Sequence, residues 1–480
     1  MARPAPLPEH TPAHARGFAN LDIETSLNIA PQQIRGRIPD SVRGTFFRIG
    51  PGRNQLGGEQ FGHWFDGDGM MHAMTFSQNG AWYRNRYVRT PKYNRETAAG
   101  KIRCRSFGHN APGGMLANAG RPPANAANTS LAWHGDRLLA LWEGGRPWQL
   151  DPGDLSTLGE CDFAGGLRPF EPFSAHGHHH PDNGCYYNHG ISVGRRGPQI
   201  NLYEIGANGR MKRRRRLPIS RLAFLHGSAL SRRYWLFLEQ PLAMKGIGQM
   251  LLGRRTVDQC MRFDPRWGMR ALVVDLETLT LAHTFELDPF VVFHFGNCRQ
   301  EGNELVVELV RFDDFSVNTA LRNIFTYHQD EAGEPCQLRL NLKTGGHVLQ
   351  ALPCLAGCEF PQYDLRYTGR SSRFLYSTAL ADHGGFFNAI QRQDTESGKV
   401  ALHTLGPGRF ASEAVFVPEG EREGDGYLCA AIYDANQHRS EVVLLDARSD
   451  QLEEVAAVPL PHHIPHGFHC GWVGRERLAF

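Results

Sequence analysis

An all-β chain closed into a β-propeller is the fold class this sequence predicts, on three observations. A short apolar run, a Gly/Asn/Asp turn and a second short apolar run recur along the chain, which is the signature of antiparallel hairpins. Apolar residues at helical spacing are scarce, while 53 Gly and 29 Pro are spread throughout and supply turns. No linker interrupts the 480 residues, and radial repetition is the way to hide sheet edges in so large a β fold. Two β-sandwich domains are the structural rival. No residue-level repeat is visible, so the pattern alone does not count the blades.

The hairpins, in order, are expected at 71–88, 130–142, 297–310, 416–434 and, at the C-terminus, over GWV–GRE–RLAF. Short helical turns are expected only at Pro39–Val42 and Ile247–Leu252. Residues 1–16 read as a disordered or extended N-terminal arm, and 17–480 as one propeller domain. RMKRRRRLP (210–218) reads as a solvated hairpin tip. The apolar loop LAMKGIGQMLLG (242–253), followed by Arg254 and Arg255, has two readings. It is a buried insertion, or a patch dipping into a bilayer at the entrance of a tunnel, carried by Leu242, Met244, Ile247, Met250, Leu251 and Leu252.

With 52 Lys plus Arg against 49 Asp plus Glu, the net charge of +3 excludes a bulk electrostatic nucleic-acid binder. The N-terminal stretch holds no signal-peptide apolar run, and no window approaches the roughly 18 apolar residues of a membrane span. The scattered Cys contain no CxxC; the nearest pair, Cys354 and Cys358, is a weak zinc signal, so reduced thiols and a cytoplasmic location are expected.

The 23 His are the compositional oddity. Four stand at the edge of apolar strands beside small or polar residues: His176, His226, His294 and His469. Their separations of 50, 68 and 175 residues exclude a zinc finger or an HExxH helix. Such residues meet only if the chain returns repeatedly to one axis, as the inner strands of a propeller do. Four neutral imidazoles suit Fe, Zn, Cu or Ni, but leave a divalent charge uncompensated unless carboxylates accept the other ring N–H groups. Glu143, Glu359 and Glu413 lie in apolar surroundings and fit that part. The neighbouring His178, His179 and His180, in HGHHH, are candidates for a second, adventitious site; His462, His463 and His466 precede His469.

At these residues the chain resembles the carotenoid cleavage oxygenases, a family that also holds apocarotenoid oxygenases, stilbene-cleaving oxygenases and a retinoid isomerase. The resemblance runs from about residue 17 to the end. It is carried, in family order, by GTFFRIGPGRN (44–54), HWFDGDGMMHAM (63–74), ANTSLAWHGDRLLALWEGG (127–145), FSAH (173–176), FLHGSALS (224–231), FHFGN (293–297), CEFPQ (358–362), ASEAVFVP (411–418) and IPHGFHCGWV (464–473). It implies a seven-bladed propeller with a helical or loop cap over one face, and a non-haem Fe(II) held by His176, His226, His294 and His469. Glu143, Glu359 and Glu413 would be the supporting carboxylates, and Thr129 would crowd one open iron position. Gly177, Gly227 and Cys470 depart from residues usual in the family, without removing a ligand.

The resemblance implies an O₂-dependent dioxygenase that cleaves a C=C bond of an apolar polyene, a carotenoid or apocarotenoid, into carbonyl products. Stilbene cleavage and retinoid-type isomerisation are the family alternatives. A lipid- or protein-binding propeller without catalysis, and a zinc or calcium hydrolase, are the alternatives from other classes. The Lys that stilbene cleavers carry beside the LALxE glutamate is absent here; that neighbour is Trp142. Tyr87 and Tyr93 remain as phenol contacts. The partners expected are the polyene, O₂ and a peripheral membrane contact, with no nucleic acid; the oligomeric state stays open.

Overall fold

The computed structural model describes residues 11–323, 332–381 and 385–478. Seven antiparallel sheets of four to six strands follow one another along the chain. Blade 1 holds Thr25–Ile29, Gly44–Arg53, Asp68–Ser77 and Gly80–Tyr87; blade 2 runs from Ser130–His134 to Thr157–Glu160. Blade 3 runs from His178–His179 to Met211–Pro218, blade 4 from Ala229–Leu230 to Thr280–Leu287, and blade 5 from Val291–Glu301 to His347–Ala351. Blade 6 runs from Gly357–Gln362 to Val400–Thr404, and blade 7 from Arg409–Ala411 to Glu454–Pro459. The protein is a seven-bladed β-propeller.

Both faces of a blade pack against neighbouring blades, so the middle strands are apolar without alternation. Tyr234–Glu239 and Gly44–Arg53 are buried at every position. One core fills each gap between blades: Leu236, Val273 and Val307 meet between blades 4 and 5, and Ile200, Leu202 and Trp235 between 3 and 4. The side-chain period of a half-solvated strand is therefore missing from the sequence.

The ring closes twice. Cys470–Gly474 pairs antiparallel with Gly44–Arg53 and becomes the inner strand of blade 1, while Arg35–Gly36 pairs with Glu454–Pro459 at the outer edge of blade 7. The C-terminal hairpin expected from GWV–GRE–RLAF is thus replaced by a single closing strand, because the better partner is Gly44–Arg53 from the other end of the chain. The other four hairpins form at the expected positions. Pro39–Val42 is a single turn closed by Val42 N–H donating to Pro39 O, whereas Ile247–Leu251 is helical.

RMKRRRRLP is not a hairpin tip. Met211–Pro218 is the outer strand of blade 3, where its charges guard a free sheet edge. Residues 1–10 lie outside the described residues. The remainder of the expected arm is ordered: Ala13–Phe18 is a 3-10 helix, and His14 is fully buried. His466 N–H donates to Gly17 O at 2.7 Å, and a Cβ on Gly17 would sit 2.3 Å from His466 Nε2, so only glycine fits this contact.

Helices Pro91–Ala99, Gly114–Asn118, Ile247–Leu251 and Val317–Leu321, with their connecting loops, cover one face. Arg105 ties this cap together by donating to the carbonyls of Asn118, Arg121, Met250 and Arg255. Lys92, fully buried, joins the first cap helix to blade 1 through Glu96 and Asp68. Among the described residues no helix is long and apolar enough to cross a membrane.

Candidate metal centre

Six of the seven candidate ligand and carboxylate residues come from the inner strand of a blade or the turn beside it. His176 and His226 precede the first strands of blades 3 and 4, and His294 sits at a bulge in the first strand of blade 5. Glu359 lies in the first strand of blade 6, Glu413 joins the two inner segments of blade 7, and His469 precedes the closing strand of blade 1. Blade 2 supplies Thr129, just before its first strand, and Glu143, just past its second. Each blade therefore contributes to one point on the axis.

The four imidazoles meet there. Their ligand atoms all lie within 4.8 Å of one another. His176 Nε2 is 3.0 Å from His226 Nε2, which is 3.2 Å from His294 Nε2. The His176 and His469 rings are 4.6 Å apart, and those of His294 and His469 4.7 Å.

On three of the four rings the opposite nitrogen is engaged by a carboxylate. His294 Nδ1 is 2.5 Å from Glu359 Oε2, and His469 Nδ1 is 3.1 Å from Glu413 Oε1. His226 Nδ1 lies against Glu143 Oε1. A carboxylate at Nδ1 fixes the proton there, so Nε2 presents a lone pair. On His226 and His294, both held this way, the lone pairs face one another at 3.2 Å and repel unless a cation stands between them. With metal–nitrogen distances of about 2.1 Å, adjacent donors around an ion fall roughly 3 Å apart, so the donor set fits a divalent transition metal. Burial, reinforced by the neighbouring imidazoles, holds His176 and His294 well below the ordinary histidine range, and they stay neutral as ligands must.

The carboxylates are themselves held. Glu413 accepts from Gln362 Nε2 at 2.7 Å and from the Cys470 N–H. Glu359 accepts the N–H of Phe360; burial pushes its carboxyl up to about 7, and a neighbouring divalent cation favours the ionised form. Phe360 has a left-handed φ of 55°, at the bulge between Glu359 and Gln362, and its ring stacks on His294 at 5.1 Å. Sequence reasoning missed Phe360 and Gln362; the only signal was their place in CEFPQ beside a selected glutamate.

A cavity of about 520 Å³ opens onto the imidazoles and runs beneath the cap. Its walls are mostly aromatic and aliphatic, among them Trp64, Phe65, Phe107, Phe293, Phe360 and Phe468. Thr129 lines it with its hydroxyl committed to Asn128 Oδ1 at 3.1 Å, and Trp142 and Glu143 complete that wall.

Several expectations need correction. Leu242 is not at a tunnel entrance: it is fully buried in the core between blades 5 and 6 and the cap, because its strand pairs with Met261–Phe263. Met244 and Met250 line the cavity, Ile247 is half-buried, and Leu251 and Leu252 are exposed. Tyr87 and Tyr93 stack on each other at 4.8 Å in a small core of blade 1 and do not line the cavity. The HGHHH histidines diverge: His178 faces Ser228, His179 packs on Tyr186, and His180 bonds to Arg232 O. Among the described residues the four-imidazole group is the only set of three or more His, Cys, Asp or Glu with the spacing of a metal site. His463 and His466 instead bond to Ala19 O and His14 O and hold the N-terminal segment.

Known proteins share this fold. The chain is 32% identical over 456 residues to the apocarotenoid-15,15'-oxygenase of Synechocystis, covering 92% of each. It is 29% identical over 478 residues to the carotenoid 9,10(9',10')-cleavage dioxygenase 1 of Arabidopsis thaliana, covering 93% of this chain and 87% of that one. A crystal structure of cobalt-substituted Synechocystis apocarotenoid oxygenase superposes with a TM-score of 0.89 at 31% identity, over 96% of this chain and 98% of that one. The family model described as retinal pigment epithelial membrane protein matches residues 18–474. With four imidazoles on the axis of seven blades and this match along nearly its whole length, the chain belongs to the retinal pigment epithelial membrane protein family, alongside the carotenoid- and apocarotenoid-cleaving oxygenases.

Proposed function

We propose that the protein is a non-haem Fe(II)-dependent dioxygenase that cleaves one C=C bond of a carotenoid or apocarotenoid to two carbonyl products. The observation that carries this reading is an all-imidazole donor set opening onto a mostly apolar cavity. His176, His226, His294 and His469 would hold the ion, and ferrous iron bound there would supply the O₂ chemistry.

The remaining work belongs to the chain. The aromatic walls exclude water and hold a rigid polyene against the centre, so that one double bond is presented and its neighbours are not. Glu143, Glu359 and Glu413 fix ring orientation and balance the divalent charge. Thr129 narrows one approach to the centre, which leaves another for O₂. No side chain is needed as a general base. The absence of a Lys beside Glu143 and the packing of Tyr87 and Tyr93 away from the cavity favour a polyene over a phenolic stilbene.

The apolar face of the cap fits delivery of such a substrate from a bilayer. Leu116 is 95% exposed, Leu251 54% and Leu252 43%; Gly120 N–H donates to Leu251 O, so the two segments adjoin, and Arg254 follows. We assign this patch to peripheral membrane contact.

The test is anaerobic loading with Fe(II), then exposure to O₂ with β-carotene, apocarotenals and hydroxylated stilbenes in turn. Aldehydes from a polyene, formed with O₂ consumption, support the reading. Isomerised substrate without O₂ uptake, or cleavage of stilbenes alone, contradicts it.

A further inference from the structure

The cavity also reaches the surface at the segment joining blades 2 and 3. Phe170 lines it and is 80% exposed, and Gly144, also in the lining, is exposed as well. Gly190, Ile191 and Ser192 of blade 3 form the adjacent wall. Strand Tyr186–Gly194 continues from there into a tight turn at Arg195 and Arg196. At about 3.3 Å per residue, Arg195 stands roughly 10 Å beyond Ser192. Arg216 pairs across from Asn201, and Asn201 across from Gly190, which places Arg216 two strand spacings, about 10 Å, from the wall. Arg168 is two residues from Phe170.

These four arginines are exposed, and none of them makes an ion pair among the described residues. Their neighbours behave otherwise: Arg213 is paired with Glu204, and Arg214 is neutralised by Glu171. Four exposed arginines without an ion-pair partner therefore flank the opening on its blade 3 side.

From this, and resting on the proposed polyene-cleaving function, we infer that this mouth selects polyenes whose far end group is an anion, a carboxylate, over the alcohol of the same length. A charged end cannot be buried in the apolar cavity. A rod long enough to pass the imidazoles and emerge at Phe170 keeps its carboxylate in water, within about one Debye length of the guanidiniums. One exposed pair is worth less than about fivefold in affinity. Four together, at a low-dielectric opening, bring the preference to about tenfold at low salt.

The experiment titrates the iron-loaded protein, without O₂, with a polyene acid and with the matching alcohol. Binding is read by quenching of the fluorescence of Trp64 and Trp142, which line the cavity. Wild type is expected to bind the acid about tenfold more tightly at low salt, with the preference shrinking at high salt. R195E/R196E, at an exposed turn, is expected to abolish the preference while leaving affinity for the alcohol and its turnover unchanged; R168E/R216E repeats the test with the other two arginines. Equal binding of acid and alcohol by wild type, or an unchanged preference in both variants, overturns the inference. Equal loss for both ligands, together with weaker binding to phosphatidylglycerol vesicles, also overturns it, because the charges then serve a bilayer. If neither compound is cleaved once O₂ is admitted, the polyene-cleaving reading fails; the binding preference is measured independently of cleavage.

Discussion

Glu359 Oε2 lies 2.5 Å from His294 Nδ1, and the same oxygen accepts the N–H of Phe360, whose ring covers His294. Orientation, tautomer and charge of that imidazole are thus set by two consecutive residues of blade 6, on a strand bulged at this point. Glu359→Gln keeps the shape and removes the charge. It is expected to lower metal affinity or turnover roughly 10–100-fold, measured as iron content and kcat/KM; unchanged values would place Glu359 outside the centre.

His226 is the hub of the donor set, with His176 and His294 Nε2 atoms at 3.0 and 3.2 Å. His226→Ala is expected to lose bound iron and oxygenase activity together, while thermal unfolding stays cooperative. Full iron content in the folded variant would refute its role as a ligand.

Acid should destabilise the fold through its buried neutral histidines. Burial lowers His63 to about 4 and His463 to about 3, so below about 6.5 the unfolded chain binds protons that the folded chain does not. The stability contributed is complete above about 6.5 and is lost as the pH falls toward those values, by at most about 1.4 kcal/mol per pH unit for each histidine. His463 also bonds to Ala19 O, and His463→Gln keeps an N–H donor there without the titration. A shallower fall of Tm between pH 6.5 and 4 than in wild type is expected; an identical slope would contradict the assignment.

The exposed leucines of the cap make a separate prediction. Replacing Leu116, Leu251 and Leu252 with Ser removes much of the apolar patch without touching the cavity wall. The partition coefficient onto lipid vesicles, read by co-sedimentation, is expected to drop more than tenfold, since even one leucine taken from water into the bilayer contributes about 1.5–3 kcal/mol, while iron content holds. Unchanged partitioning would reject a membrane role for this face.

The legibility of the sequence followed the physics of each feature. Local hairpins such as 71–88 and 130–142 were readable because turn and strands are adjacent in sequence. The closing strand Cys470–Gly474 was not, because its partner lies more than 400 residues away. His176, His226, His294 and His469 stood out as isolated polar residues on apolar strand ends. Which glutamate serves which imidazole could not be read: Glu143 reaches His226 past the blade that carries His176, a relation set by the ring and not by spacing. Leu242 misled because a buried strand and an exposed apolar loop share one composition over 242–253, and only pairing with Met261–Phe263 separates them.

In the proposed enzyme four imidazoles, and no acidic oxygen, grip one ferrous ion on the propeller axis. X-ray absorption at the iron edge of the anaerobically loaded protein, with metal analysis of the same sample, tests it most directly. One iron per chain is expected, its protein donors all imidazole nitrogens, with Glu143, Glu359 and Glu413 outside the inner sphere. A carboxylate oxygen bound to the metal, or iron retained in full by all four single His→Ala variants, would contradict it.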